Sequence, residues 1–224
     1  MGCGEIWKCT NVRWKDDYVD LVPTSAKLFD NVKTFTITAW VTPIHKSSTH
    51  WPAIIHKYEG SKWNDMPWVG YSEAKDEWAW EITTNKSENV CHDTGVKVSF
   101  DVFSYYVAFT VDIPHKVSKF YLNGEMKEKF DLPVAGARMS ANPNGESSKI
   151  VIGSIRGWGN IPEANYWRGT IDELRIWNQV LTAKEITRNI RVAKDELLSI
   201  EPIIGLATQW GELNMNSRTN EERC

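Results

Sequence analysis

The stretch Thr34-Phe35-Thr36-Ile37-Thr38-Ala39-Trp40-Val41 alternates polar and apolar residues, with Trp40 standing at the last polar position. A period of two belongs to a half-buried strand, here with Phe35, Ile37, Ala39 and Val41 on one face and Pro43 as the stop. The same pattern repeats outward from it. Ala53-Ile54-Ile55-His56-Lys57 and Trp68-Val69-Gly70-Tyr71 are short apolar runs, and Glu77-Trp78-Ala79-Trp80-Glu81-Ile82 puts Trp78, Trp80 and Ile82 on one face. Val96 to Phe103, Tyr105 to Val111, Lys149 to Gly153 and Thr170 to Trp177 complete the expected strands. Between Lys119 and Met126 an Asn123-Gly124 pair separates two candidate strands, the strongest short-range hairpin signal there is.

Helix is confined to the end of this series. Thr182-Ala183-Lys184-Glu185 is a capping box, in which the Thr hydroxyl accepts the Glu amide and the Glu carboxylate reaches back to the Thr amide. It predicts a helix of two or three turns through Ile186 and Ile190, with a weaker helical stretch at Ala193 to Ser199 ended by Pro202. Many short strands and so little helix define an all-β fold: two antiparallel sheets packed face to face, with a short C-terminal helix. The expected core holds Phe35, Ile37, Trp40, Trp80, Phe109, Phe120, Ile152, Ile171 and Trp177, although strict alternation puts Trp40 on the face opposite Phe35 and Ile37.

A chain of 224 residues folds in this class as one domain, expected over residues 1–200 with a tail at 201–224. The 26 basic and 29 acidic residues leave a net charge of −3, too little field to recruit a polyanion, so nucleic acid is not an expected partner. The N-terminus shows no signal-peptide pattern and no apolar run reaches membrane-spanning length, which predicts a soluble chain without membrane insertion and leaves localisation open. Cys3, Cys9, Cys91 and Cys224 are too scattered for a disulfide framework or a zinc site; Cys3 and Cys9 are left as a pair or as free thiols.

Taken in order, Asp17-Tyr18-Val19-Asp20-Leu21, Phe35 to Val41, Ile54 to Lys57, Tyr106 to Asp112, Phe120 to Gly124 and Gly169-Thr170-Ile171-Asp172-Glu173-Leu174-Arg175-Ile176-Trp177-Asn178 resemble a laminin G-like domain. That family belongs to the concanavalin A-like jelly rolls, with pentraxins and legume lectins. The tail Gly205 to Gly211 is similar to tails of environmental bacterial members, and the family is usually extracellular or surface-associated. The resemblance implies a jelly-roll sandwich, a binding function, and an optional structural calcium ion with Asp172 as its ligand. One departure stands out: only 16 residues precede Asp17, where the family has a first strand beside the C-terminal one and an oxygen-rich loop. The edge so exposed is filled by Glu5 to Trp14, by the tail, or by another subunit through self-association.

An enzyme is the less favoured reading. Glu77 and Glu81 share a strand face but stand about 13 Å apart along an extended strand, beyond the carboxylate separations of glycosidases, and a solvated face explains them better. His45, His50 and His56 lack metal-ligand spacing, and no phosphate loop or nucleophile elbow occurs. The informative excess is 12 Trp. Trp51, Trp63, Trp68, Trp158 and Trp167 sit in or beside loops rich in Gly, Pro, Asn and Ser, where indoles suit stacking on sugar rings, although each taken singly fits half-buried loop packing. Trp63 and Trp158 lead this set, and Tyr58, Tyr71, Asn64, Asp65 and Arg156 are candidates for the directional hydrogen bonds. The expected function is a non-catalytic module that binds carbohydrate or a protein surface, with a glycoside hydrolase or lyase and a purely structural interaction module as alternatives.

Overall fold

The computed structural model describes residues 5–9, 12–13, 18–21, 28–46, 51–59, 67–86, 89–100, 103–134, 136, 138–139, 148–155 and 166–195. Thirteen strands and one helix follow in chain order: β1 (Glu5–Cys9), β2 (Val12–Arg13), β3 (Val19–Asp20), β4 (Thr34–Pro43), β5 (Ala53–Glu59), β6 (Pro67–Ser72), β7 (Glu77–Thr83), β8 (Asn89–Lys97), β9 (Tyr105–Asp112), β10 (Val117–Leu122), β11 (Glu125–Asp131), β12 (Ser148–Ile152), β13 (Gly169–Trp177) and α1 (Ala183–Asp195). They form two sheets. Sheet A has the order β1-β13-β4-β9-β10-β11, with β2 also on β13, and sheet B the order β3-β12-β5-β6-β7-β8. Every pairing is antiparallel, as the alternating pattern required.

The core lies between the sheets. Phe35, Ile37, Ala39 and Val41 of β4 meet Trp78, Trp80 and Ile82 of β7 in one apolar cluster that also takes Phe109, Phe120, Ile152 and Ile171. Trp80 packs on Phe109 with ring centroids 4.8 Å apart, an offset arrangement that suits two quadrupoles. Within this cluster's surroundings, Lys57 of β5 is 1% exposed and holds Asp30 at 2.6 Å, a buried charge kept by its partner.

The outer face of sheet A carries a second cluster. Trp40, Tyr106, Ala108, Tyr121 and Trp177 face Leu181, Ile186 and Ile190, so α1 lies across this sheet. The helix begins on the expected capping box: Glu185 donates its amide to Thr182 Oγ1 at 3.3 Å, and Thr182 donates its amide to Glu185 Oε2 at 2.7 Å. Thr36 on β4 ties down the approach, donating to the Gln179 carbonyl at 2.7 Å and accepting the Leu181 amide at 3.0 Å.

Several expectations shift at this level. Trp40 and Trp177 are half-buried under α1 and not in the central core. For Trp40 this follows from alternation. For Trp177 the cause is a bulge: register slips between Asp172 and Arg175, Glu173 takes φ +50°, and one extra residue reverses the parity that would have set Trp177 beside Ile171. Of the expected strand from Val96 to Phe103, Val96 and Lys97 are strand, as the end of β8, and the other described residues, 98–100 and 103, are not. Gly95 at φ +71° and a register slip opposite Glu77 and Ala79 turn the chain off the sheet edge, where the Val98 amide caps the Asp76 carbonyl at 2.8 Å. The helix is one continuous element to Asp195, so the start of the second helical stretch belongs to α1 and the rest lies outside the described residues. The open edge beside β13 is filled from within the chain, by β1 and β2. The hairpin is as expected, with Asn123 at φ +54° and Gly124 at φ +85° forming the two-residue turn.

Candidate functional site

α1 packs on the outer face of sheet A, whereas the outer face of sheet B carries no helix among the described residues. Its rows follow from register. One row runs His56, Trp68, Glu81, Cys91 across β5, β6, β7 and β8; the next runs Ala53, Gly70, Ala79, Asp93. Small residues in the second row leave a low floor, over which Trp51 and Pro52 fold. A Cβ on Gly70 would meet the Pro52 carbonyl oxygen at 2.0 Å, so only glycine admits this approach.

Trp51 is the aromatic of this floor that keeps some exposure. It adopts φ +59°, a left-handed backbone that is strained for a bulky residue and is held there by its own amide, which donates to Glu73 Oε2 at 2.9 Å. Its ring stands edge-on against Trp68, centroids 5.4 Å apart at 85°. Trp68 beneath is 1% exposed, and its Nε1 has no hydrogen-bond partner.

Charges rim this floor in matched pairs. Lys75 reaches Asp93 at 2.6 Å, Lys97 reaches Glu77 at 3.0 Å, and Lys46 reaches Asp76 at 2.7 Å. Hydrogen bonding to Lys97 lowers the pKa of Glu77, and the bond to Asp93 raises that of Lys75. Burial raises the pKa of Glu81, whose carboxylate accepts from Asn89. Desolvation and the neighbouring carboxylates Glu81 and Asp93 raise the pKa of the Cys91 thiol, although the residue is exposed, and burial lowers that of His56 to about 3, which leaves it uncharged. Glu77 and Glu81 lie four residues apart on β7, Glu77 clamped by a lysine, so the two do not converge on one point.

The other expected site residues divide. Trp167 is 2% exposed inside the core, packed on Trp78 and Tyr71, with Nε1 donating to the Thr170 carbonyl at 3.3 Å. Tyr71 is buried in that same cluster. Neither Trp68 nor Trp167 offers a ring face to a ligand. Tyr58 lies on β5 opposite Lys149, and its side chain falls outside the described residues, as do Trp63, Asn64, Asp65, Arg156 and Trp158. The described stems show where their loops begin: Ile155 and Tyr166 lie at the Trp51 end of sheet B, whereas Glu59 and Pro67 lie at the opposite end. Glu73, which accepts the Trp51 amide, and the Lys75–Asp93 pair, with Asp93 opposite Ala79, are not among the residues the sequence singles out.

Asp172, the expected calcium ligand, sits on β13 opposite Trp40, and its Oδ1 accepts the Glu173 amide at 2.8 Å. Among the described residues no group of three or more His, Cys, Asp or Glu side chains is placed to hold a metal ion. No helix among the described residues is long and apolar enough to cross a membrane.

Comparison with known proteins places this architecture. A laminin G family model, described as the Concanavalin A-like lectin/glucanases superfamily, matches residues 14–187. No curated protein matches the chain by sequence. Among solved structures, the carbohydrate-binding module CBM40 of the Ruminococcus gnavus IT-sialidase superposes with a TM-score of 0.60 at 17% identity, covering 83% of this chain and 99% of that one. A NanB sialidase mutant from Streptococcus pneumoniae gives 0.60 at 15% identity, over 82% of this chain and 28% of that one. The SAP-like pentraxin of Limulus polyphemus gives 0.50 at 16%, over 83% and 77%. At such identities the likeness carries the fold.

Proposed function

The chain belongs to this superfamily, and we propose from that premise that it is a non-catalytic binding module that holds a glycan against the outer face of sheet B. The observation that carries the reading is Trp51, strained, tethered to Glu73 and propped edge-on by a buried Trp68. An indole fixed this way loses little freedom when a sugar ring stacks on it, and the carboxylates and amides around it accept and donate to hydroxyls. Two of the structural neighbours are titled as CBM40 bound to sialyllactose, which supports sugar binding as the use of such a sandwich. In this reading Trp63, Trp158, Asn64, Asp65, Arg156 and Tyr58 remain candidates for the site from their sequence alone, since their side chains lie outside the described residues.

A glycan array and thermal melts of the wild type and Trp51→Ala test the proposal. The expected result is at least tenfold weaker glycan binding with a melting temperature within a few degrees of wild type. Unchanged binding, or a domain that no longer folds, returns Trp51 to a packing role.

A further inference from the structure

We infer that the end of the sandwich opposite Trp51 is a docking surface for an anionic lipid bilayer, met by charge and without insertion. The inference goes beyond the glycan reading and does not depend on it.

Strand register assembles this end. Thr34, Asp112, Val117 and Asp131 stand side by side across sheet A, and Thr83 and Asn89 are paired at the matching ends of β7 and β8 in sheet B. Backbone bonds knit the connections that leave these ends. Ile113 donates its amide to the Lys33 carbonyl at 3.1 Å, Leu132 to Lys116 at 2.8 Å, Met139 to Val32 at 2.7 Å and Asn85 to Arg138 at 3.0 Å. Four separate connections thereby bring Lys33, Lys86, Lys116 and Arg138 to one rim. All four are exposed, and none has a side-chain partner among the described residues.

Carboxylates are fewer there. Asp30 holds the buried Lys57 at 2.6 Å, Asp112 holds His115 at 2.8 Å, and Asp131 stands 3.5 Å from Lys129. Lys57 and Lys129 added to the four give six cations against these three carboxylates, so the described rim is positive by three on a chain of net charge −3. On its flanks, Lys184 and Glu185 open α1 with opposite charges, and Glu81 faces outward from β7. Glu59 and Lys149, paired edge residues of opposite sign on this side, have side chains outside the described residues.

The arrangement favours a surface of many charges over a single bound anion. Cations set on four turns are spread across the end of the domain and do not converge on one point. Three of the four are lysines, flexible point charges that act through a diffuse field, whereas a site for one phosphate or sulfate is better served by the arginine fork. The exposed large apolar side chains among the described residues, Ile44, Phe103 and Met126, all stand toward the Trp51 end, beyond Pro43, before Tyr105 and after the Asn123-Gly124 turn. Nothing described at the cationic end is therefore built to enter acyl chains, while an anionic leaflet attracts each lysine or arginine held near it. Docked in this way, the domain turns Trp51 away from the bilayer.

Cosedimentation of the whole chain with lipid vesicles tests the inference. Phosphatidylcholine vesicles with about 30 mol% phosphatidylserine should carry the chain down, and phosphatidylcholine alone should not. Raising sodium chloride from about 0.05 to about 0.5 M should release it, because screening shortens the reach of every such attraction. Lys33→Gln, Lys86→Gln and Lys116→Gln should each lower the partition about fivefold, and the triple variant about a hundredfold, with melting temperatures unchanged. Arg191→Gln, on the exposed face of α1 and toward its other end, should lower it by less than about twofold. Equal partition into both kinds of vesicle, or into neither, overturns the inference. So does a triple variant that partitions like the wild type, an Arg191→Gln loss as large as the rim variants show, or retention on heparin-agarose without retention by vesicles, which would assign the rim to a soluble polyanion.

Discussion

The two outward faces of this sandwich began from the same problem and solved it differently. Sheet A buries Trp40, Tyr106, Tyr121 and Trp177 beneath an amphipathic helix, with Thr36 bonding the segment that leads into it. Sheet B buries Ala53, Trp68 and Ala79 under only Trp51 and Ile155 among the described residues, and rims them with ion pairs. A helix is a closed lid: its backbone bonds to itself and its apolar stripe needs no further partner. A loop tryptophan is an incomplete one. The difference teaches that a helix and a loop tryptophan are two ways of covering apolar sheet area, and that the helix among the described residues covers sheet A.

The largest effect expected from breaking this contrast is on the closed side. Ile186 is fully buried against sheet A, and Ile186→Ala should destabilise the domain by about 3 kcal/mol in denaturant melts while leaving sugar binding intact. A loss of binding with stability unchanged would show that the helix side carries the ligand.

Next in size, taken per pH unit, is an effect of pH on the sheet B side. The folded protein keeps His56 neutral down to about 3, whereas the unfolded chain takes up its proton near the ordinary 6.5. The unfolded state thus binds the extra proton between these values. Stability from this group is whole above pH 6.5 and falls as the pH drops toward 3, with a slope approaching about 1.4 kcal/mol per unit. His56→Gln should flatten that part of the profile; an identical slope would assign the loss to other groups.

Smaller again is the cap. Thr182→Ala removes the hydroxyl that accepts the Glu185 amide and should cost about 1 kcal/mol at neutral pH. The Thr182 amide and hydroxyl hold the Glu185 pKa below its usual value, so this carboxylate's contribution is present above the ordinary carboxylate range and lost as pH falls through the lowered one. The last effect concerns calcium at Asp172: if the ion is bound, saturating calcium should raise the melting temperature over excess chelator, and superimposable curves would remove Asp172 as a ligand.

Much of the framework was legible because local signals agreed with tertiary ones. In β4, β7 and β9 the period of two matched the face that was buried, and Asn123-Gly124 named its own turn. Legibility failed where a single backbone irregularity governed the outcome. Nothing in Asp172-Glu173-Leu174 announces the bulge that turns Trp177 outward, and β8 reads as loop since an edge strand with one buried face carries Asn89, Cys91, Asp93 and Lys97 on the other. At the site, a loop aromatic such as Trp51 was visible from turn chemistry, while Trp68 and Trp167 were assigned to a surface that they in fact support from below. Glu73, Lys75 and Asp93 lie on other elements, and a sequence read along one strand at a time does not assemble them.

The antiparallel clasp of β1 on β13 has a temporal meaning as well. Glu5 pairs with Trp177, so β1 waits through the synthesis of every strand between them until β13, the last described strand, has emerged. At about 5–20 residues per second that wait is on the order of ten to thirty seconds. Closure of sheet A is therefore a non-local, late event, and until it happens β13's outer edge stands open to any other strand in the vicinity.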